Sequence, residues 1–124
     1  MSTVLIVEDN EKNMKLARDV LQAKGYKTLE AVTGEEGVTL AKQHVPDLVL
    51  MDIQLPGING IEAFKQIRAD AKTAKVPVVA LTASVTPTDR SAITAAGFDA
   101  FVSKPINLKE FLETVKRLVE GAKK

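Results

Sequence analysis

Five short apolar runs recur along the chain, at residues 3–7, 27–31, 47–51, 77–81 and 99–102. Each has the length of a strand, and at least three are apolar throughout, the mark of strands covered on both faces of a parallel sheet. After each run the apolar spacing lengthens to that of a helix. Met14, Leu16, Ala17, Val20 and Leu21 make one stripe, Ile61, Phe64 and Ile67 a second, and Phe111, Leu112, Val115, Leu118 and Val119 a third. The punctuation agrees. Thr33 with Glu36, Asn59 with Glu62, Thr86 with Asp89 and Asn107 with Glu110 each pair a capping residue with an acid three positions on. Pro87 falls at a first helical position, and Gly25, Gly97 and Gly121 fall where helices should stop.

The alternation is (βα)5. Buried parallel strands joined by right-handed crossovers imply a three-layer α/β sandwich, for which the flavodoxin-like strand order 2-1-3-4-5 is the leading candidate. In such sheets the functional crevice lies beyond the carboxyl ends of the strands, where the order reverses between the first and the third. At 124 residues, with 45% hydrophobic and 27% charged, the chain has the make-up of one folded domain rather than of a disordered segment. No linker, low-complexity tract or internal repeat interrupts it, so a single domain over 1–124 with no output domain is expected.

Charge and cysteine content narrow the function classes. Lys and Arg number 17 against 16 Asp and Glu, so no strong field points to nucleic acid or an anionic membrane as a direct partner. The absence of cysteine excludes disulfides, thiolate metal sites and cysteine catalysis. Apolar runs such as 4–7 and 78–81 are too short to cross a bilayer or to form a signal-peptide core, and a cytoplasmic protein without membrane insertion is expected.

The chemistry should therefore sit just past the strands. Glu8 and Asp9 follow the first run, Asp52 the third, Thr82 the fourth and Lys104 the fifth. Singly, each has an ordinary reading. Glu8 and Asp9 could be solvated acids favouring a helix N-terminus by roughly 0.3–1 kcal/mol. Asp52 could be a loop acid before Pro56-Gly57, and Lys104 a solvated lysine. Independent surface residues have no reason, however, to gather at the same end of four strands. Three carboxylates brought together repel unless a cation joins them, and an oxygen-rich site of this kind suits Mg²⁺.

These residues lie in four motifs: LIVEDN at 5–10, LVLMDIQLPG at 48–57 with Gly60, VVALTA at 78–83, and VSKP at 102–105. In combination they resemble the receiver domains of two-component response regulators, and among these the single-domain cell-cycle regulators of the DivK type. The resemblance runs from about Thr3 to Val119. It implies that Glu8 and Asp9 hold Mg²⁺, one of them partly through water, with Mn²⁺ able to substitute. Asp52 would be both ligand and phosphoacceptor, and the backbone carbonyl of Gln54 would complete the protein ligands. Thr82 and Lys104 would contact the phosphoryl group.

A phosphoacceptor of this type catalyses its own phosphorylation and the hydrolysis of its aspartyl phosphate, without being a conventional enzyme. The resemblance further implies that Phe101 rotates inward when Thr82 is drawn to the phosphoryl group. Phe101 has no hydroxyl where many relatives carry tyrosine, so its rotation is expected to be weakly coupled. A plain edge aromatic is the alternative, and Phe98 and Phe111 read as ordinary core. The peptide bond between Lys104 and Pro105 is implied to be cis, against the usual preference for trans. Gln54 and Ser84 would flank the water path that sets the lifetime of the phosphorylated state.

The implied donor is a phosphohistidine on a sensor histidine kinase or a histidine phosphotransfer protein, docking near Asn13 to Val20. Output would pass to a downstream protein through residues 86–120. His44, the sole histidine, reads instead as an exposed residue at a helix end. Three other readings compete. A flavin phosphate in the first loop would be repelled by Glu8 and Asp9, and only Tyr26, with no Trp, is available for ring stacking. A phosphorylation-independent interaction module would keep the fold without the chemistry. A receiver excised from a hybrid histidine kinase would keep the chemistry in another context.

Overall fold

In the computed structural model the described residues are 2–55, 57–82, 86–103 and 107–122, with the side chains of Asp89, Gly121 and Ala122 excepted. Strands and helices alternate as β1 (Thr3–Val7), α1 (Glu11–Ala23), β2 (Lys27–Ala31), α2 (Gly34–His44), β3 (Leu48–Asp52), α3 (Gly60–Ala69), β4 (Val78–Thr82), α4 (Pro87–Ala96), β5 (Ala100–Ser103) and α5 (Leu108–Ala122). All neighbouring strands are parallel, in the order β2-β1-β3-β4-β5. The flavodoxin-like order expected from the pattern is the one observed.

Strand composition follows position in the sheet. β3 and β4 are buried at every residue, which is why they read as unbroken apolar runs. β2 lies at an edge and carries Lys27, Thr28 and Glu30, so only Ala31 in it is buried. The pleat divides the interior into two layers. Val4, Ile6, Leu48, Leu50, Val79, Leu81 and Val102 face Met14, Ala17 and Leu21 of α1 and Phe111, Val115 and Val119 of α5. Leu5, Val7, Val49, Met51 and Val78 face Val38 and Ala41 of α2 and Ala63, Phe64 and Ile67 of α3. Phe98 stacks on Phe64 at 4.2 Å between ring centroids. Full burial of a side chain such as Phe64 or Phe111 is worth about 1.5–3 kcal/mol.

Three strands start and end one residue later than the apolar pattern suggests, so Asp52 and Thr82 are the last residues of β3 and β4 and not the first of the loops. At β3 and β5 an acid stands just before the strand. Asp47 accepts a bond from the Thr3 N–H at 2.7 Å, and Asp99 accepts one from the Val78 N–H at 2.8 Å, so each serves a neighbouring strand with its side chain from just outside the strand it precedes.

Helix caps agree in the main. Thr33, Asn59 and Asn107 accept from the N–H groups of Glu36, Glu62 and Glu110. Pro87 opens α4, and Gly25 and Gly97 take positive φ after α1 and α4. Two details differ. Glu36 reaches back to the Val32 N–H at 3.0 Å, one residue before the cap, and Gly121 lies within α5. Asn10 caps α1 without an acid three positions on, accepting from the N–H groups of Lys12 and Asn13. Among the described residues no helix is long and apolar enough to cross a membrane.

Candidate functional site

Because neighbouring strands run the same way, the carboxyl ends of β1, β3 and β4 lie at one end of the sheet. Glu8 and Asp9 leave β1 there, and Asp52 closes the adjacent β3. One carboxylate oxygen from each of Glu8, Asp9 and Asp52 lies within 4.8 Å of the other two. Glu8 is 1% exposed and Asp52 4%, whereas Asp9 is open to solvent. Each buried acid is oriented by the backbone two residues on. Glu8 Oε1 accepts from the Asn10 N–H and Asp52 Oδ1 from the Gln54 N–H, both at 3.1 Å. The donor set is all oxygen, two acids buried and one exposed, which matches the needs of a small hard divalent cation that keeps part of its water.

Glycine governs how closely the flanking elements approach. A Cβ on Gly60 would lie 2.2 Å from the Asp52 carbonyl oxygen, so only glycine lets α3 begin directly beneath the end of β3. The Gly60 N–H also donates to the Ile53 carbonyl at 2.9 Å, and the Ile53 N–H continues the ladder to Leu81 at 3.0 Å. Asp52 is thereby held from its own strand, from β4 and from α3. Gly57, with φ +75°, turns the loop towards α2, where Glu35 meets it.

Thr82 ends β4, is 5% exposed, and pairs in register with Ser103 of β5. Phe101 lies half-buried on β5, and the Arg90 guanidinium of α4 stands 5.2 Å from its ring centroid. Such a contact is worth about 0.5–1 kcal/mol at an exposed site, and it gives the ring a polar partner that the apolar pattern does not disclose. Gln54 is exposed beside Asp52. Lys104, Pro105 and Ser84 lie outside the described residues. His44 is exposed at the end of α2, beside Thr3 and Lys27 at the strand starts, and so belongs to the opposite end of the sheet. Neither Glu35 nor Arg90 stands out in the sequence, because each acts on a residue of another element.

The model of the response regulator receiver domain family matches residues 4–116. The chain is 46% identical over 120 residues to the polar-differentiation response regulator DivK of Brucella ovis, covering 97% of this chain and 98% of that one. The DivK of Brucella anthropi stands at the same identity and coverage. Among solved structures, the receiver domain of a sensor histidine kinase from Pseudomonas aeruginosa PAO1 superposes with a TM-score of 0.90 at 31% identity, covering 96% of this chain and 98% of that one. That structure holds a magnesium ion coordinated in its active-site cleft. Chemotaxis protein CheY4 of Vibrio cholerae superposes with a TM-score of 0.89 at 27% identity, over 95% of this chain and 98% of its own. With its sheet order, its acidic cluster and a match along nearly its whole length, the chain belongs to the response regulator receiver domain family of two-component signalling.

Proposed function

We infer that Asp52 accepts a phosphoryl group from the phosphohistidine of a sensor histidine kinase or a phosphotransfer protein, with Mg²⁺ held by Glu8, Asp9, Asp52 and the Gln54 carbonyl. The observation that carries this is the meeting of three carboxylates within 4.8 Å at the carboxyl end of the sheet, two of them buried. Burying two like charges side by side is unfavourable unless a cation or a proton enters with them. When bound, Mg²⁺, or Mn²⁺ in its place, neutralises the non-bridging phosphoryl oxygens.

The protein's own groups then position the reactants. A carboxylate oxygen of Asp52 forms the new P–O bond as the P–N bond to the donor imidazole breaks, and the freed imidazole takes up a proton. Phosphoryl transfer passes through a loose transition state, so holding the nucleophile in line matters more than strengthening it. The Gln54 N–H holds Asp52 through Oδ1. Lys104 contributes a point charge to the phosphoryl oxygens, and the Thr82 hydroxyl donates to them once transfer is complete. Drawing Thr82 inward is coupled to rotation of Phe101, weakly because that ring carries no hydroxyl. The α4-β5-α5 surface over residues 86–120 then presents a changed face to a downstream protein in the cytoplasm. Asp52 is thus a phosphoacceptor working on itself, not a turnover enzyme for a free substrate.

Incubating the parent and Asp52→Asn with a small phosphodonor and Mg²⁺ and weighing both intact tests this reading. The parent gains one phosphoryl group and the variant none. A gain by the variant, or none by the parent, overturns it, and the second result would favour the phosphorylation-independent module. Gln54 and Ser84 set the lifetime of the phosphorylated state by screening the attacking water. Gln54→Ala therefore changes the rate at which phosphorylated protein decays, and an unchanged rate contradicts that role.

A further inference from the structure

The loop from β3 to α3 is anchored at two places that differ in kind. At its near end the bonds are internal to the site: Ile53 N–H to Leu81 at 3.0 Å, Gln54 N–H to Asp52 at 3.1 Å, and Gly60 N–H to Ile53 at 2.9 Å. At its far end the partner is the first turn of α2. The Ile58 N–H donates to Glu35 Oε1 at 3.3 Å, across 23 residues of sequence. A Cβ on Gly57 would come within 2.5 and 2.6 Å of the two Glu35 carboxylate oxygens, so that carboxylate lies directly against the Gly57 backbone. A Cβ on Gly34 would come within 2.7 Å of the Ile58 carbonyl oxygen, so the turn bearing Glu35 is itself pressed onto the loop.

Glu36, the next residue, does something else. It accepts from the Val32 N–H at 3.0 Å and thereby fastens α2 to the loop that precedes it. Two adjacent acids on one turn thus serve two loops, and only Glu35 touches the loop that leaves Asp52.

We propose that Glu35 is a positioning residue for the phosphorylation site: its carboxylate clamps the loop backbone at Gly57 and Ile58 and so fixes where the Gln54 carbonyl sits. The inference rests on the reading of Gln54 as a backbone ligand. Mg²⁺ tolerates little departure from octahedral geometry, so a ligand carried on a loosened loop binds it less well. Groups that orient a ligand from outside typically change metal affinity by ~10–100-fold.

The test is calorimetric titration with Mg²⁺ of the parent, Glu35→Ala, Glu35→Gln and Glu36→Ala, with amide hydrogen exchange at Ile58 followed in metal-free buffer. Glu35→Ala binds Mg²⁺ about tenfold more weakly, the lower end of that range, and its Ile58 amide exchanges faster. Glu35→Gln stays within about twofold of the parent, because its amide oxygen accepts the same N–H. Glu36→Ala binds Mg²⁺ like the parent. Unchanged affinity in Glu35→Ala overturns the clamp. So does equal weakening in Glu35→Gln, which would make charge the cause, or in Glu36→Ala, which would make general loosening of α2 the cause. A parent that takes up no Mg²⁺ overturns the reading of the metal site and the clamp with it, whereas a parent that binds while Glu35→Ala matches it overturns the clamp alone.

Discussion

At the amino end of the sheet each acid bonds to a neighbouring strand, whereas at the carboxyl end Glu8 and Asp52 accept from their own loops and gather with Asp9. Asp47 accepts from Thr3, and Asp99 accepts both from Val78 and, at 2.6 Å, from Arg68, whose guanidinium also donates to the Val76 carbonyl and lies 4.9 Å from the Phe64 ring centroid. Those acids tie strand starts together. Glu8, Asp9 and Asp52 are instead gathered so that one oxygen of each lies within 4.8 Å of the others, with Glu8 and Asp52 buried, and like charges brought this close repel. The same residue type therefore contributes to cohesion at one end of the sheet and to an acidic cluster that could hold a metal ion at the other. What separates the two is the company that the chain arranges around each carboxylate.

The largest expected effect on stability comes from forcing the carboxyl end apart. Gly60→Ala sets a methyl group against the backbone at Asp52 and Ile53, which cannot swing aside as a side chain would, and should cost about 3 kcal/mol in urea unfolding while lowering phosphorylation at Asp52. Breaking the amino end should be milder and should leave the chemistry alone. Arg68→Ala removes the bonds to Asp99 and Val76, in a half-exposed setting that screens the charge, and should cost about 2 kcal/mol with phosphorylation intact. If it abolished phosphorylation, the two ends would not be separable.

Relieving the repulsion has the opposite sign. In metal-free buffer Asp52→Asn should be about 1 kcal/mol more stable than the parent, and Mg²⁺ should narrow the gap by binding the folded parent. A destabilised Asp52→Asn would show that Asp52 contributes cohesion as the amino-end acids do.

The smallest effect concerns Tyr26, just ahead of β2 at the amino end. Burial, and then the Glu120 carboxylate, push its phenol above the ordinary range. The folded state therefore holds that proton more tightly than the unfolded chain. The associated stability is complete below about pH 10 and is lost as pH rises through the higher folded value. Tyr26→Phe should flatten the stability profile above about pH 10 and leave it unchanged at neutrality, as pH-dependent unfolding would show.

Much of this architecture was legible in the chain because apolar residues report burial directly. β3 and β4 are apolar throughout since both of their faces are covered, and their neighbours then follow from the alternation with helices. Strand limits were less legible. Asp47 and Asp99 look like strand starts, yet their side chains bond to β1 and β4, an arrangement set by the sheet and not by local spacing. In the site, Glu8, Asp9, Asp52 and Thr82 could be found because each sits at the end of an apolar run. Glu35 could not, because its partner lies 23 residues away and its neighbour Glu36 carries the capping spacing. Gly57 and Gly60 belong to a recognisable motif, but the reasons for them, Glu35 and the Asp52 carbonyl, appear only in three dimensions.

The central claim is that Asp52, and no other acid in the cluster, forms the acyl phosphate. Borohydride reduces an acyl phosphate to an alcohol with loss of phosphate, so an aspartyl phosphate is left as homoserine at its own position. Reducing protein freshly phosphorylated in Mg²⁺ and sequencing its peptides by mass should find homoserine at position 52 alone. Homoserine at position 9, or none anywhere in protein that has gained phosphate, would contradict the account.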